Sequence, residues 1–206
     1  MSETGRPDVK EKEVTEKLAQ HLKQMLGYEI WYRTNFVLKS FKFFPRQPDI
    51  DILLCRVNNG NRVPPITAAE VKYIRTARGG RVNPSYYSGL DEAVALLLLG
   101  FDHVLLIHVV DEKVLSKVYL GYAKLLSELI RTLGLPLGYR VYAFNSEKLL
   151  LHRVIRLGND NSYELEGLWV IPRVNPFLGK NDDLGKAVVK NRKLLADKLG
   201  IGLNST

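Results

Sequence analysis

The 206-residue sequence contains a single cysteine, Cys55, which excludes an intramolecular disulfide framework and a cysteine-rich zinc site. Long hydrophobic runs are also absent. The longest, residues 93–99, is far shorter than the roughly 20 residues that a membrane-spanning helix needs. The polar start of the chain, MSETGRPDVKEKE, has no apolar stretch of signal-peptide length. These absences predict a protein of the cell interior, in the cytoplasm, with no membrane association.

Acidic residues are the scarcer charged type, with 22 Asp and Glu against 30 Lys and Arg, so the formal charge is +8 at neutral pH. The apolar fraction of 46% and the charged fraction of 25% are ordinary globular values, which excludes disordered, collagen-like and coiled-coil chains. Excess positive charge favours a polyanionic partner such as nucleic acid.

The apolar pattern predicts a mixed α/β fold, with one central sheet and helices on its faces. Val14, Leu18, Leu22 and Met25 form one apolar stripe of a helix that ends near Gly27. We expect strands at 28–44 (a strand or a bent hairpin), 50–57, 67–74 and 102–110, loops at 58–65 and 75–85, and a buried helix at 86–99. In residues 111–206 we expect an α/β extension, with helices at 116–133 and 182–199 and strands at 139–145, 149–157 and 163–171. Residues 7–206 then form a single domain after a flexible tail, 1–6.

Acidic and basic side chains alternate with apolar ones in two successive predicted strands. Asp49 and Asp51 lie in the run Gln47-Pro48-Asp49-Ile50-Asp51, and Glu70 and Lys72 lie in Ala69-Glu70-Val71-Lys72. Because strand side chains alternate between faces, pairing of the two strands brings three carboxylates and one ammonium together. Clustered carboxylates need a positive partner, and Mg²⁺ or Mn²⁺ prefers oxygen ligands. Lys72 would then orient or deprotonate an attacking water, or neutralise transition-state charge.

Pro48-Asp49 (or Ile50-Asp51), followed by Glu70-Val71-Lys72, resembles the signature of the PD-(D/E)XK nuclease superfamily, which includes type II restriction endonucleases, archaeal Holliday-junction resolvases and RecB-like nucleases. The expected order of helix, three-strand meander, helix and strand resembles the core of that superfamily over residues 7–110. The resemblance implies a restriction endonuclease-like fold and a Mg²⁺- or Mn²⁺-dependent endonuclease that hydrolyses DNA phosphodiester bonds in repair, recombination or restriction. It implies Asp51, Glu70 and the Val71 carbonyl as metal ligands. By analogy with many members it also suggests a homodimer.

The motif occurs in two forms, and they identify different residues as the first metal ligand. The restriction-enzyme form selects Asp49, directly after Pro48, and the resolvase-like form selects Asp51. We favour Asp51, because it lies further inside the strand and is followed by an apolar run. Asp49 then tunes the site from its rim.

Many members of the superfamily also carry an acid on the first helix, and two candidates are present. Glu11 shares the helix face of Val14 and Leu18, where an acid must reach a partner at the helix end. Glu16 lies at the usual distance from the glycine that ends the helix, here Gly27, but off the apolar stripe.

Two basic segments without acidic residues are the expected nucleic-acid contacts. Arg75, Arg78 and Arg81 follow the predicted catalytic strand, and Lys42 and Arg46 belong to an aromatic and basic stretch, 31–46. Arginines so placed would bind phosphates on either side of a scissile bond. The main alternative is a nucleic-acid-binding protein that has the fold without catalysis, and a further one is an unrelated α/β protein with a chance motif.

The remaining chemistry-bearing residues indicate structural roles. The four histidines lack metal-ligand spacing, and His108, within LLIHVV, is expected to be a core histidine. Cys55 is expected to be a buried thiol.

Overall fold

The computed structural model describes residues 9–27, 29–37, 49–76, 82–83, 88–152, 154–156, 162–164 and 170–203. In this part of the chain the α-helices are α1 (Glu11–Leu26), α2 (Leu90–Leu98), α3 (Lys117–Thr132) and α4 (Asp183–Leu199), with a 3₁₀ turn at Pro176–Gly179. The strands are β1 (Ile30–Val37), β2 (Asp49–Asn58), β3 (Asn61–Thr76), β4 (Val82–Asn83), β5 (His103–Asp111), β6 (Leu137–Asn145), β7 (Leu150–His152), β8 (Val154–Arg156) and β9 (Ser162–Glu164).

The main sheet has the strand order β1-β2-β3-β5-β6-β7, and β4 pairs with the end of β3. The first three strands form an antiparallel meander. After α2 the chain adds β5 parallel to β3, and after α3 it adds β6 parallel to β5. The mixed α/β fold predicted from the sequence is therefore confirmed, and the predicted extension continues the same sheet through β6 and β7.

Helices cover both faces of this sheet. The stripe of α1 packs Val14, Leu18 and Leu22 against one face, where all three are buried as predicted. The prediction is wrong for Met25, in the last turn of α1, whose side chain is exposed. Residues of α2, α3 and α4 pack on the other face in a second core cluster. His108 and Cys55 are both buried, as expected. No helix of the described residues is long and apolar enough to cross a membrane.

The predicted loop at 58–65 is wrong, because the chain reverses in a tight hairpin and β3 begins at Asn61. Asn59 and Gly60 both have positive φ, 48° and 76°, as a two-residue hairpin turn requires. The prolines that suggested a loop are accommodated by an irregularity in the pairing. Cys55 pairs with Ile66 and Arg56 with Val63, so residues 64–65 have no partner in β2.

Other predicted boundaries also move. The loop at 75–85 is wrong at its start, because β3 extends through Thr76 and pairs there with β4. The helix expected at 86–99 begins only at Leu90, since Gly89 has φ +88°, which is incompatible with an α-helix. The strand expected at 149–157 is divided between β7, which pairs with β6, and β8, which pairs with β9. Of the strand expected at 28–44, the structure contains β1, and residues 28 and 38–44 lie outside the described part of the chain.

We predict that Gly100→Ala destabilises the protein, because Gly100 has φ +88° and an added Cβ would lie 2.7 Å from the backbone nitrogen of Arg192. The left-handed conformation alone costs a non-glycine residue about 1–2 kcal/mol, and the overlap adds to this. Gly121→Ala is the matched control, since Gly121 lies inside α3 with nothing within 4 Å of its added Cβ. Urea unfolding should show a loss for the first variant and a gain of up to about 1 kcal/mol for the second.

Candidate active site

The site lies where β2 separates from β3. Regular pairing between them ends at Ile52 and Ala69, while the first residues of β2 continue to pair with β1. Beyond that point the Val71 N–H donates to Asp51 Oδ2 at 2.7 Å. Because the N–H and C=O of one residue in an antiparallel pair face the same neighbour, the Val71 carbonyl faces this gap as well.

Glu11, at the start of α1, reaches the same gap. The Tyr73 N–H donates to Glu11 Oε1 in a long hydrogen bond of 3.4 Å. The charge of Glu11 contributes to raising the pKa of Asp51, after burial as the main cause. The first-helix acid that shares the apolar face is therefore the one that the fold brings to Asp51.

Glu16, the other first-helix candidate, points elsewhere. It accepts hydrogen bonds from Thr34 Oγ1 at 2.7 Å and from the Tyr32 hydroxyl at 3.0 Å, both on β1. The hydrogen bond from Thr34 is the main cause that lowers the pKa of Glu16. Glu16 thus joins α1 to β1.

Glu70 and Lys72 meet on the sheet face that α2 covers. Lys72 Nζ lies 2.7 Å from Glu70 Oε1. Asp51 is the neighbour whose charge, after burial as the main cause, raises the pKa of Glu70. The structure therefore brings Asp51, Glu70 and Lys72 together, as the alternation of strand side chains predicted. Their side chains are largely withdrawn from solvent, with exposed fractions of 6% for Glu70 and 18% for Lys72.

Glu92, on the first turn of α2, is a member of the cluster that the sequence argument missed. Its Oε2 lies 2.6 Å from Lys72 Nζ. The sequence offered one signal, since Asp91-Glu92 are acids suited to a helix start, but either residue fits that role equally well. Only the position of α2 above β3 identifies Glu92 as the one beside Lys72.

Two carboxylates, those of Glu70 and Glu92, contact the Lys72 ammonium, and Asp51 and Glu11 lie at the adjoining gap. Burial raises the pKa of Asp51 to about 6. Burial, and then the charge of Asp51, raise the pKa of Glu70 to about 8. Without a cation, Glu70 is therefore mainly protonated at neutral pH and Asp51 mainly ionised, as expected for two neighbouring carboxyls that do not both carry a charge.

In Lys72 the effect of neighbouring charged groups on the pKa exceeds the effect of burial. Burial by itself lowers the pKa of Lys72, but its hydrogen bonds with Glu70 and Glu92 outweigh burial and raise this pKa above the ordinary value. Lys72 is thus an ammonium at neutral pH. Of the two tasks predicted for it at the water, orientation is compatible with this state and deprotonation is not.

The other predicted residues are less closely connected. Asp49 is exposed at the start of β2, and within the described part no polar contact joins it to Asp51 or Glu70. Arg75, near the end of β3, donates to the Val9 carbonyl at 3.2 Å and lies over the Tyr73 ring. The remaining expected phosphate contacts lie outside the described residues: Lys42, Arg46, Arg78 and Arg81.

The donor set fits a magnesium-like ion in chemistry. Asp51, Glu70 and the Val71 carbonyl supply oxygen ligands, and Mg²⁺ typically takes one or two carboxylates and keeps several waters. Burial is the main cause that raises the pKa of both carboxyls, and the charge of Asp51 adds to it at Glu70. Across the described residues, no group of three or more His, Cys, Asp or Glu side chains is arranged to hold a metal ion. The candidate set contains two such side chains and one backbone carbonyl.

Comparison of the chain with protein-family models, with curated proteins and with solved structures found no match.

We predict that the protein in EDTA loses stability as the pH rises from about 4 through about 8. Asp51 and Glu70 bind protons more tightly in the folded state, with pKa values of about 6 and 8, than in the unfolded chain, where both titrate near ~4. Folding is therefore favoured by low pH across this range, and the contribution is lost as the folded carboxyls ionise.

Urea unfolding of the wild type and of Glu70→Gln at several pH values measures this contribution by difference. The variant should have the flatter dependence, and Asp91→Asn should behave like the wild type. A Glu70→Gln curve parallel to that of the wild type would contradict the assignment.

Proposed function

We propose that the protein is a metal-dependent nuclease of PD-(D/E)XK type that hydrolyses phosphodiester bonds of DNA. The observation that carries the proposal is the cluster at the separation of β2 and β3. There, Lys72 contacts Glu70, Asp51 accepts a hydrogen bond from the backbone N–H of Val71, and the charge of Asp51 adds to burial in raising the pKa of Glu70. A merely structural ion pair between Glu70 and Lys72 does not account for the half-buried carboxyl of Asp51 beside it, whose pKa is raised to about 6.

The order and direction of the elements support a restriction endonuclease-like arrangement. A helix, α1, precedes an antiparallel meander of three strands, and α2 then connects β3 to the parallel strand β5. The motif residues lie at the beginning of the second strand and inside the third. Glu11 on α1 adds the first-helix carboxylate that many members of the superfamily carry.

The residues divide the chemistry between them. A bound Mg²⁺ or Mn²⁺ would lower the pKa of a coordinated water and stabilise charge on a phosphoryl oxygen. Asp51, Glu70 and the Val71 carbonyl would hold it. Lys72, which stays protonated, donates a hydrogen bond to the attacking water or to a phosphoryl oxygen, where negative charge develops.

We predict that Asp51→Asn, Glu70→Gln and Lys72→Ala each reduce cleavage by at least about 10²- to 10³-fold, because the first two remove a proposed metal ligand and the third removes a donor to the developing charge. DNA affinity should change little, because it depends on phosphate contacts distributed over many basic residues. The assay compares duplex, single-stranded and branched DNA and RNA, with Mg²⁺ and with EDTA.

The two first-helix acids provide a matched pair of controls. Glu11→Gln should slow cleavage, whereas Glu16→Gln should not, because Glu16 binds Thr34 and Tyr32 on β1. Cleavage that persists in both Glu70→Gln and Lys72→Ala would reject the mechanism. DNA binding without cleavage by the wild type would favour the non-catalytic alternative.

We also predict that DNA binding weakens steeply with salt and depends little on sequence, because the +8 charge favours backbone contacts. Each phosphate that the protein neutralises adds about 0.9 to the slope of log affinity against log salt for duplex DNA. Replacing Arg75, Arg78 and Arg81 together by Ala should flatten that slope.

The control for this experiment removes the same charge from α4. Lys186, Lys190 and Lys193 are exposed there, and their replacement by Ala should leave the slope close to that of the wild type. Equal flattening by both triple variants would show that the residues around Arg75 are not a localised contact.

A further inference from the structure

Lys72 is held by two carboxylates on different elements. Its Nζ lies 2.7 Å from Glu70 Oε1 on β3 and 2.6 Å from Glu92 Oε2 on α2. An ammonium has three donors, so these two contacts determine the direction of the third. The direction of the Lys72 donor therefore depends on α2 as well as on β3.

The start of α2 is fixed directly on Lys72. A Cβ added at Gly89 would lie 3.0 Å from Lys72 Cγ and 2.8 Å from Leu106 Cδ1. The turn before α2 therefore packs against the Lys72 side chain, and only a residue without a side chain fits there. His108 is buried beneath this turn, and its Nε2 lies 3.2 Å from the Ser88 carbonyl. The Tyr139 hydroxyl lies 3.0 Å from His108 Nδ1, which leaves Nε2–H to donate to Ser88.

The two carboxylates are not equivalent in the reaction proposed above, on which this inference depends. Glu70 is assigned to the metal, whose positive charge would repel the ammonium of Lys72. Glu92 has no such second task, and its side chain is 48% exposed. A second carboxylate that contacts Lys72 from a different element offsets the repulsion and keeps the ammonium in place.

We propose that Glu92 is a positioning residue for Lys72: it holds the ammonium from the first turn of α2 and directs its remaining donor toward the reacting groups. It acts through Lys72 and contacts neither the metal nor the scissile phosphate. The same element, anchored through Ser88 and Gly89, sets the position of both Glu92 and the lysine side chain.

The first test is a double-mutant cycle in the Mg²⁺-dependent cleavage assay. Glu92→Gln should lower kcat about 10- to 100-fold, the effect of one hydrogen bond to a charged group, with KM for DNA unchanged. Glu92→Asp, which keeps the charge, should retain more activity. Asp91→Asn removes a charge from the same helix turn and should match the wild type. Combined with Lys72→Ala, Glu92→Gln should cause no further loss.

A second readout does not require nuclease activity. Acylation of Lys72 by an amine-reactive ester at neutral pH, mapped by mass spectrometry, should be several-fold faster in Glu92→Gln than in the wild type or Asp91→Asn. If the wild type cleaves no nucleic acid, the proposed function fails while acylation still tests the contact between Glu92 and Lys72. Unchanged acylation in Glu92→Gln, or an equal loss of cleavage with and without Lys72, would overturn the proposal.

Discussion

The site depends on how two backbone N–H groups of β3 are satisfied after β2 turns away. Buried N–H groups must find acceptors, and those of Val71 and Tyr73 donate to the side chains of Asp51 and Glu11. A polar requirement of the sheet is thus met by the groups that the proposed chemistry needs. These two hydrogen bonds hold the carboxylate of Asp51, from the neighbouring strand, and that of Glu11, from the first helix, beside the same gap. No loop is needed to position them.

The acidic side chains at that gap also reduce the stability of the fold, because like charges are brought close together there. Glu70 and Glu92 contact the ammonium of Lys72, Asp51 and Glu11 lie beside them, and burial raises the pKa of Asp51 and of Glu70. In isolation the site gains from a retained proton, and a divalent cation would serve the same electrostatic purpose with more charge.

Much of the site could be predicted, because strand alternation is a local rule. Asp51, Glu70 and Lys72 were placed on one face from their spacing alone, and the helix stripe of α1 was recognised from its period. The hairpin at Asn59-Gly60 was missed because two prolines follow it, and their accommodation depends on a pairing irregularity with β2. The start of α2 was placed too early because apolar content does not reveal the left-handed conformation of Gly89.

The sequence by itself therefore determined the mixed α/β class, the shared face of the motif residues and the burial of His108 and Cys55, all of which follow from composition and local periodicity. Tertiary structure alone decided between Glu11 and Glu16, since both are acids on one helix and differ only in which strand they reach. It also brought Glu92 to Lys72. Contacts between elements distant in sequence depend on how helices dock on the sheet, and no local pattern encodes that docking.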